Sequence, residues 1–532
     1  MDQQGEHRSV ADATGARRGR AGLRLLALAG GSLAVVAAAG AGFATGTLVG
    51  GGGTQPEDVL PASTLAFADV DLDPTAEQKL NVVRLLGRLP DVEDDYGPEP
   101  DLRALIVETL TRGTPLADVD VQSWVGDRLA VAVVWDQPTE ALTPVVVMQA
   151  SDTDAAVESL RTELEDEQVA VLDDYVVVTP AEVGGRSVDP RVDPLVDPAL
   201  PGDGLLGLPR LTTQSAAEVV AAAEESPLAD SPAFSDTFSH LDDGVASMYL
   251  DGATAAEALR GLVPEELSTG AQVDAWAAVG QSAAVLRADP DALELVGWSS
   301  AALPDAAGAA SLAAVLPADT ALALEGTGGS ALVADRWRSV LDSADGAGLG
   351  DRLGDGRLER ALAEVEARFG IVLPDDLQTL AGDDAVLAVE GSSILTGIPG
   401  VGIVSVTDPD AGDDLANRLQ RSLDTLTGGF GLVAQGTDDG MVLATSADYA
   451  DALAAGDGDL GTSPRFQEAL PDADDASYLA WVDLAAVTGP LLLAAPDAAD
   501  ALAPLDSLGV TVGSVDGGTA LRARLVFSGE VL

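Results

Sequence analysis

The chain has 532 residues, a formal net charge of −59, 47% hydrophobic residues and no cysteine. That much apolar material excludes wholesale disorder, and the lack of cysteine excludes disulfides. The acid excess argues against nucleic acid or an anionic membrane surface as a partner, because either would require basic groups to neutralise phosphates.

The first element is a basic tail over residues 1–24, where Arg8, Arg17, Arg18, Arg20 and Arg24 outweigh Asp2, Glu6 and Asp12. Residues 25–49 then carry no charge. About 20 apolar residues suffice to cross a hydrocarbon core as a helix. The sequence therefore predicts a transmembrane helix over 25–49. The arginines would keep the tail cytoplasmic and the bulk of the chain extracytoplasmic, a single-pass, signal-anchored arrangement in the cell membrane. A cleaved signal peptide ending near Ala41-Gly42-Phe43-Ala44 is the alternative. Gly30, Ala34, Ala38, Gly42 and Gly46 recur every four residues and form a small-residue stripe that would let two such helices pack as a homodimer. A segment so rich in Ala and Gly gives the same stripe by composition alone.

After a linker at 50–57 the chain repeats itself. Val59-Leu60-Pro61-Ala62 matches Val315-Leu316-Pro317-Ala318, Gly126-Asp127 matches Gly382-Asp383, and Asp152 matches Asp408, all at an offset of 256. Ser231-Pro232-Ala233-Phe234 matches Ser463-Pro464-Arg465-Phe466 at an offset of 232. The first repeat thus carries roughly 24 extra residues, visible as a Pro- and Asp-rich insert at about 181–210. Proline removes backbone donors, so the insert reads as an exposed loop. The repeats are placed at 58–302 and 313–532.

Within the first repeat, a strand is expected over Leu65 to Asp71. Asp73-Pro74 suits the start of a helix running to about Leu89, and a further helix is expected over Asp101 to Thr111. Strands follow at Arg128 to Trp135 and Pro144 to Ala150. Asp152 is placed as the cap of a helix to about Glu165. Asp173-Asp174 joins Val169 to Leu172 with Tyr175 to Thr179 as a hairpin. A helix at Ala216 to Glu224, a strand at Val245 to Leu250, and a hairpin pairing Ala277 to Ala288 with Leu293 to Trp298 complete it. The second repeat ends similarly, with Leu521 to Phe527. The expected fold class is α+β: an N-terminal transmembrane helix, then two homologous modules of mainly antiparallel sheet, each with covering helices on one face.

Gln55-Pro56-Glu57-Asp58-Val59-Leu60-Pro61-Ala62, with Val70-Asp71-Leu72-Asp73-Pro74 and Gln78-Lys79 beyond it, resembles an uncharacterised family of actinobacterial, N-terminally membrane-anchored proteins, a domain of unknown function. The resemblance implies a single-pass membrane protein and brings no activity or site residue.

Chemistry-bearing patterns are few. Histidine is limited to His7 and His240, which removes the usual transition-metal sets and leaves His240 as the base that any Ser-His-acid triad would have to use. Its position after Phe238 reads as a helix end. Gly280-Gln281-Ser282-Ala283 lacks the closing glycine of a nucleophile elbow. Asp69, Asp71 and Asp73 have calcium-like spacing, but Pro74 and Leu80 stand where a calcium loop needs Gly and an acid. On a strand, alternate acids simply share a face. Gly346-Ala347-Gly348-Leu349-Gly350 and Gly397-Ile398-Pro399-Gly400 lack the context and Lys of phosphate loops. No catalytic, cofactor or metal residue is assigned. The expectation is a non-enzymatic binding or scaffold ectodomain whose partner is an envelope protein, a lipid-like molecule or a wall component, held in a groove between the repeats. A tethered hydrolase using paired carboxylates is the alternative, and it requires a carboxyl of raised proton affinity in a cleft.

Overall fold

The structure, a computed structural model, describes residues 54–89, 119–179, 214–262, 276–303, 311–335, 357–394, 400–426, 432–494 and 502–529, with isolated positions between them. The basic tail, the charge-free run at 25–49 with its small-residue stripe, the insert at 181–210 and most of the helix expected at 101–111 lie outside these residues.

The first half contributes eight strands: β1 (Thr64–Asp71), β2 (Val125–Asp136), β3 (Ala141–Ala150), β4 (Val169–Leu172), β5 (Tyr175–Val178), β6 (Ala246–Asp251), β7 (Gln281–Ala288) and β8 (Ala292–Ser299). The second half contributes eight more: β9 (Thr320–Thr327), β10 (Asp384–Glu390), β11 (Val401–Val406), β12 (Val433–Thr437), β13 (Gly440–Ala444), β14 (Tyr478–Asp483), β15 (Leu505–Val515) and β16 (Gly518–Phe527). All sixteen lie in one sheet, ordered β12-β13-β11-β10-β9-β14-β15-β16-β8-β7-β6-β1-β2-β3-β5-β4. Read from its outer edge, each half has the same order: fourth strand, fifth, third, second, first, sixth, seventh, eighth.

The expected fold class is corrected in three respects. First, the halves are not separate sheet modules. β8 and β16 pair antiparallel from Thr519↔Ser299 to Val526↔Ala292 and fuse them into one sheet. Each half ends in a long strand whose open N–H and C=O groups need partners, and each satisfies the other. Second, helices cover both faces. On the Phe67 face, Val219, Phe234 and Phe238 from helices Ala216–Glu225 and Pro232–Phe238 pack with Phe67, Ala132, Val147 and Tyr249. On the opposite face, Ala156 and Leu160 from helix Thr153–Leu160 pack with Leu129, Met148 and Val176. Strands apolar on both parities of the pleat must be covered twice. Third, no helix among the described residues is long and apolar enough to cross a membrane. The transmembrane, single-pass, signal-anchor expectation is therefore not carried by any element of the structure.

Local details follow capping chemistry. Asp152 caps helix Thr153–Leu160 by accepting from the Ala155 N–H at 3.0 Å, although that helix stops well short of Glu165. Thr75, not Asp73, caps helix Ala76–Leu86, because Asp73 is engaged by Lys79. The β7 strand starts at Gln281 and not Ala277, since residues 276–278 are helical. Asp173 takes the positive φ of the β4–β5 turn, as short polar side chains tolerate.

Candidate functional site

Two features stand out, one on each face of the sheet. On the face carrying Val70, the strand registers bring one apolar residue from each of the sixteen strands into a single line. It starts at Val171 on β4 and ends at Ala434 on β12. In the first half it passes through Val176, Met148, Leu129, Val70 and Ala246. It then crosses the seam through Leu286, Leu295, Ala523 and Val510. Ala480, Leu324, Leu387, Ile403 and Leu443 continue it.

The line is unevenly covered, and Val171 at its β4 end is 40% exposed. Val176, Met148 and Leu129 are buried beneath helices, whereas Leu286, Leu295, Val510, Ala480, Leu387 and Ile403 are only half-buried. Leu324 is 44% exposed. Flanking positions on the same face, among them Leu521, Val512, Leu508, Val482 and Leu322, are also apolar and half-buried. From β7 to β11 the stretch crosses eight strands, about 34 Å at the usual strand spacing, and it is half-covered except at Ala523 on β16, which is 3% exposed.

On the Phe67 face, β1 carries Asp69 into the core. Asp69 is 1% exposed and neither carboxylate oxygen has a hydrogen-bond partner. Above it lies the opening 3-10 turn Pro56–Asp58, whose Glu57 is 3% exposed. Burial pushes the Glu57 carboxyl up to about 7, against a hydrogen bond from its own backbone N–H that lowers it; Asp58 adds to the rise. Burial also raises Asp69 well above the ordinary carboxylate range, with the Glu57 charge adding to the effect. The phenol of Tyr175 donates to the Thr54 carbonyl at 3.0 Å and closes the turn from the β5 side.

The equivalent position in the second half, at the offset of 256, is Glu325. Its carboxylate accepts from Ser311 Oγ at 2.7 Å, Leu312 N at 2.8 Å and Ala313 N at 2.8 Å. It caps the matching 3-10 turn Ala313–Val315. In the first half Pro56 stands where Leu312 supplies an N–H, and aspartate is one methylene shorter than glutamate. The donors are gone or out of reach, and a second acid, Glu57, takes the place of Ala313.

The three aspartates with calcium-like spacing therefore go separate ways. Asp69 is sealed in the core. Asp71 faces Arg128 at 3.8 Å and accepts from the Asp73 N–H at 2.8 Å. Asp73 pairs with Lys79. Among the described residues no group of three potential metal ligands converges. His240 follows the helix ending at Phe238 and stacks on Trp298, with ring centroids 4.1 Å apart and planes at 8°. Ser282 donates to the Val279 carbonyl at 3.1 Å, within strand pairing. Gly346 to Gly350 and Gly397 to Pro399 lie outside the described residues.

At the seam the described residues of the two halves meet edge to edge through β8 and β16. There Glu294 on β8, only 3% exposed, receives Arg287 at 2.7 Å, Arg524 at 2.8 Å and Arg522 at 3.3 Å. Burial raises its proton affinity, but the Arg524 hydrogen bond and the charges of all three arginines outweigh burial and hold the carboxyl below its ordinary range. Asp289, Asp242 and Asp472 in turn balance Arg524, Arg287 and Arg522.

Sequence reasoning missed the apolar line, since each strand contributes one or two ordinary core residues to it and only the register aligns them. The Asp69–Glu325 equivalence was readable from the repeat offset. Its meaning needed the hydrogen bonds.

No family model matches the chain, and no curated protein matches it. Among solved structures, a chain from a crystal structure of TP0453 (crystal form I) aligns over 47% of this chain and 80% of its own length, at 11% identity and a TM-score of 0.21. A likeness that slight carries no argument about fold or function.

Proposed function

We propose that this is a non-enzymatic binding protein whose ligand is a long aliphatic chain, laid along the apolar line where it crosses the seam. The observation that supports this reading is the half-buried run from Leu286 through Leu324 to Ile403. It is continuous from strand to strand, and its apolar side chains offer no hydrogen bond along its length. A ligand that fits must itself be extended and free of polar groups over that span, which favours an acyl or isoprenoid chain over a protein loop or a glycan. Covering Leu324 and its neighbours removes apolar area from water at about 25 cal/mol per Å², while contiguous exposed apolar surface on a soluble domain otherwise invites association.

The second reading, a hydrolase with paired carboxylates, would use carboxyls of raised proton affinity, which among the described residues are Glu57, Asp69, Asp71, Asp243, Asp384 and Asp506. Glu57 and Asp69, the adjacent pair among them, are sealed beneath the opening turn at 3% and 1% exposure. A substrate and a water could not reach that pair.

Titration of the purified chain with the neutral dye Nile red, followed by displacement with a long-chain alcohol, tests the proposal. Saturable, displaceable binding is expected. The L324E variant should weaken it at least tenfold, while V515E, at an exposed position beside the β15–β16 turn, should leave it unchanged. Absence of saturable binding, or equal binding by L324E, would overturn the reading.

A further inference from the structure

We propose that the opening turn of the first half is a proton-held latch, docked while Glu57 and Asp69 carry protons and released when both lose them. The latch segment is Pro56 to Ala62. It holds Val59 and Leu60, both 0% exposed, in the core. Its backbone is tied to the segment before helix Pro232–Phe238: Leu228 N–H donates to the Leu60 carbonyl at 2.7 Å, and Ala62 N–H donates to the Ser226 carbonyl at 2.8 Å. Beneath it sits Asp69, fully buried and without a hydrogen-bond partner. A buried carboxylate in that condition is costly when ionised and tolerable when neutral.

The charged and titratable groups around the site come from each element packed on it. The turn itself brings Glu57 and Asp58, β1 brings Asp69 and Asp71, and β2 brings Asp127 and Arg128. The β4–β5 turn and β5 bring Asp174 and Tyr175. Asp230 lies on the 3-10 turn Leu228–Asp230 beside the latch, and Tyr249 on β6 shares the core. Arg128 is the one cation of this set, and Asp71 already faces it at 3.8 Å. The Arg128 charge lowers the proton affinity of Glu57 and Asp69, but burial outweighs it in both, so ionising the two acids together is costly. The raised proton affinities of both acids agree with this geometry.

The second half supplies an internal control. The matching segment at Val315 and Leu316 is tied by the Leu460 N–H to the Leu316 carbonyl at 3.1 Å. Its acid, Glu325, accepts from three donors, where Asp69 has none.

Hydrogen exchange of the full chain tests the latch, comparing peptides covering 54–64 and 310–320 from about pH 5 to about pH 9 after correction for intrinsic exchange. Protection of the first peptide should fall at least tenfold across this range while that of the second holds. E57Q and D69N, each removing one titrating group, should flatten the response. Equal behaviour of the two peptides, or an unchanged response in both variants, would overturn the proposal.

Discussion

Asp69 and Glu325 occupy the same position in the two halves, yet Glu325 accepts three hydrogen bonds and Asp69 accepts none. One missing methylene and one proline, Pro56, separate a turn capped by the strand acid beneath it from one closed by its own Asp58, which accepts from the Gln55 N–H at 2.7 Å. The same backbone scaffold thus uses an acid as a stabilising cap in one half and carries a buried, uncompensated acid in the other.

Replacing Asp69 with valine should stabilise the chain. Aspartate and valine are similar in size, β-branching suits a strand, and the loss of an unsatisfied buried polar group is worth about 1–3 kcal/mol. The sign of the pH effect follows from the direction of the shift. Asp69 and Glu57 bind protons more tightly folded than unfolded, so their contribution is present in acid and lost as pH rises through the folded values. For Glu57 the loss falls between 4.5 and about 7. Urea unfolding should therefore show wild-type stability declining across that window, and a smaller decline in D69V.

Removing the acid from the other half should do the reverse. Glu325→Ala leaves the Leu312 and Ala313 N–H groups without their acceptor and should cost about 2–3 kcal/mol, since hydrogen bonds to charged acceptors are the stronger kind. Glu325→Gln keeps an acceptor in place and should lose about half as much. Equilibrium unfolding of the two variants decides it: equal losses would mean that the carboxylate charge, and not the acceptor geometry, holds the turn.

Leu60 and Leu316 are a second matched pair, both buried beneath their turns at 0% and 2% exposure. Leucine to alanine at such sites costs about 2–5 kcal/mol. In acid the L60A and L316A variants should be destabilised alike. At about pH 9, with the first turn released, the cost of L60A should shrink while that of L316A persists. Denaturant midpoints of both variants at the two pH values give the comparison.

What the sequence made legible was local. The strand beginning near Leu65, the Asp152 cap and the Asp173-Asp174 hairpin each follow from residues within a few positions of one another, where β-branching and capping chemistry act. The order of strands and the fusion at β8 and β16 depend on pairing residues more than 200 positions apart, such as Arg524 with Glu294. No periodicity records that. Asp69 shows the limit most clearly: on a strand bearing alternate aspartates, a solvated acidic face is the natural expectation, yet only Asp73 pairs at the surface while Asp69 points inward among Phe67, Ala130 and Tyr249. The apolar line was equally hidden, because a one-residue change of register in any strand would break it.

The seam offers the last prediction. Glu294 holds Arg287, Arg522 and Arg524 on the strands that join the halves. Its folded proton affinity is below the unfolded one, so its contribution is present above the ordinary glutamate range and is lost as pH falls through the folded value. Glu294→Ala removes the one buried carboxylate shared by three guanidiniums, and breaking a buried pair in this way costs about 3–5 kcal/mol. The loss falls on the β8–β16 pairing, which among the described strands is the only one joining the halves. Calorimetry of E294A should therefore show the two halves unfolding in separate transitions, with a wider gap at low ionic strength, where the unbalanced arginines repel over a longer range. A single transition displaced downward would mean instead that helix packing across the seam, such as Leu85 against Phe527, couples the halves without the ion network.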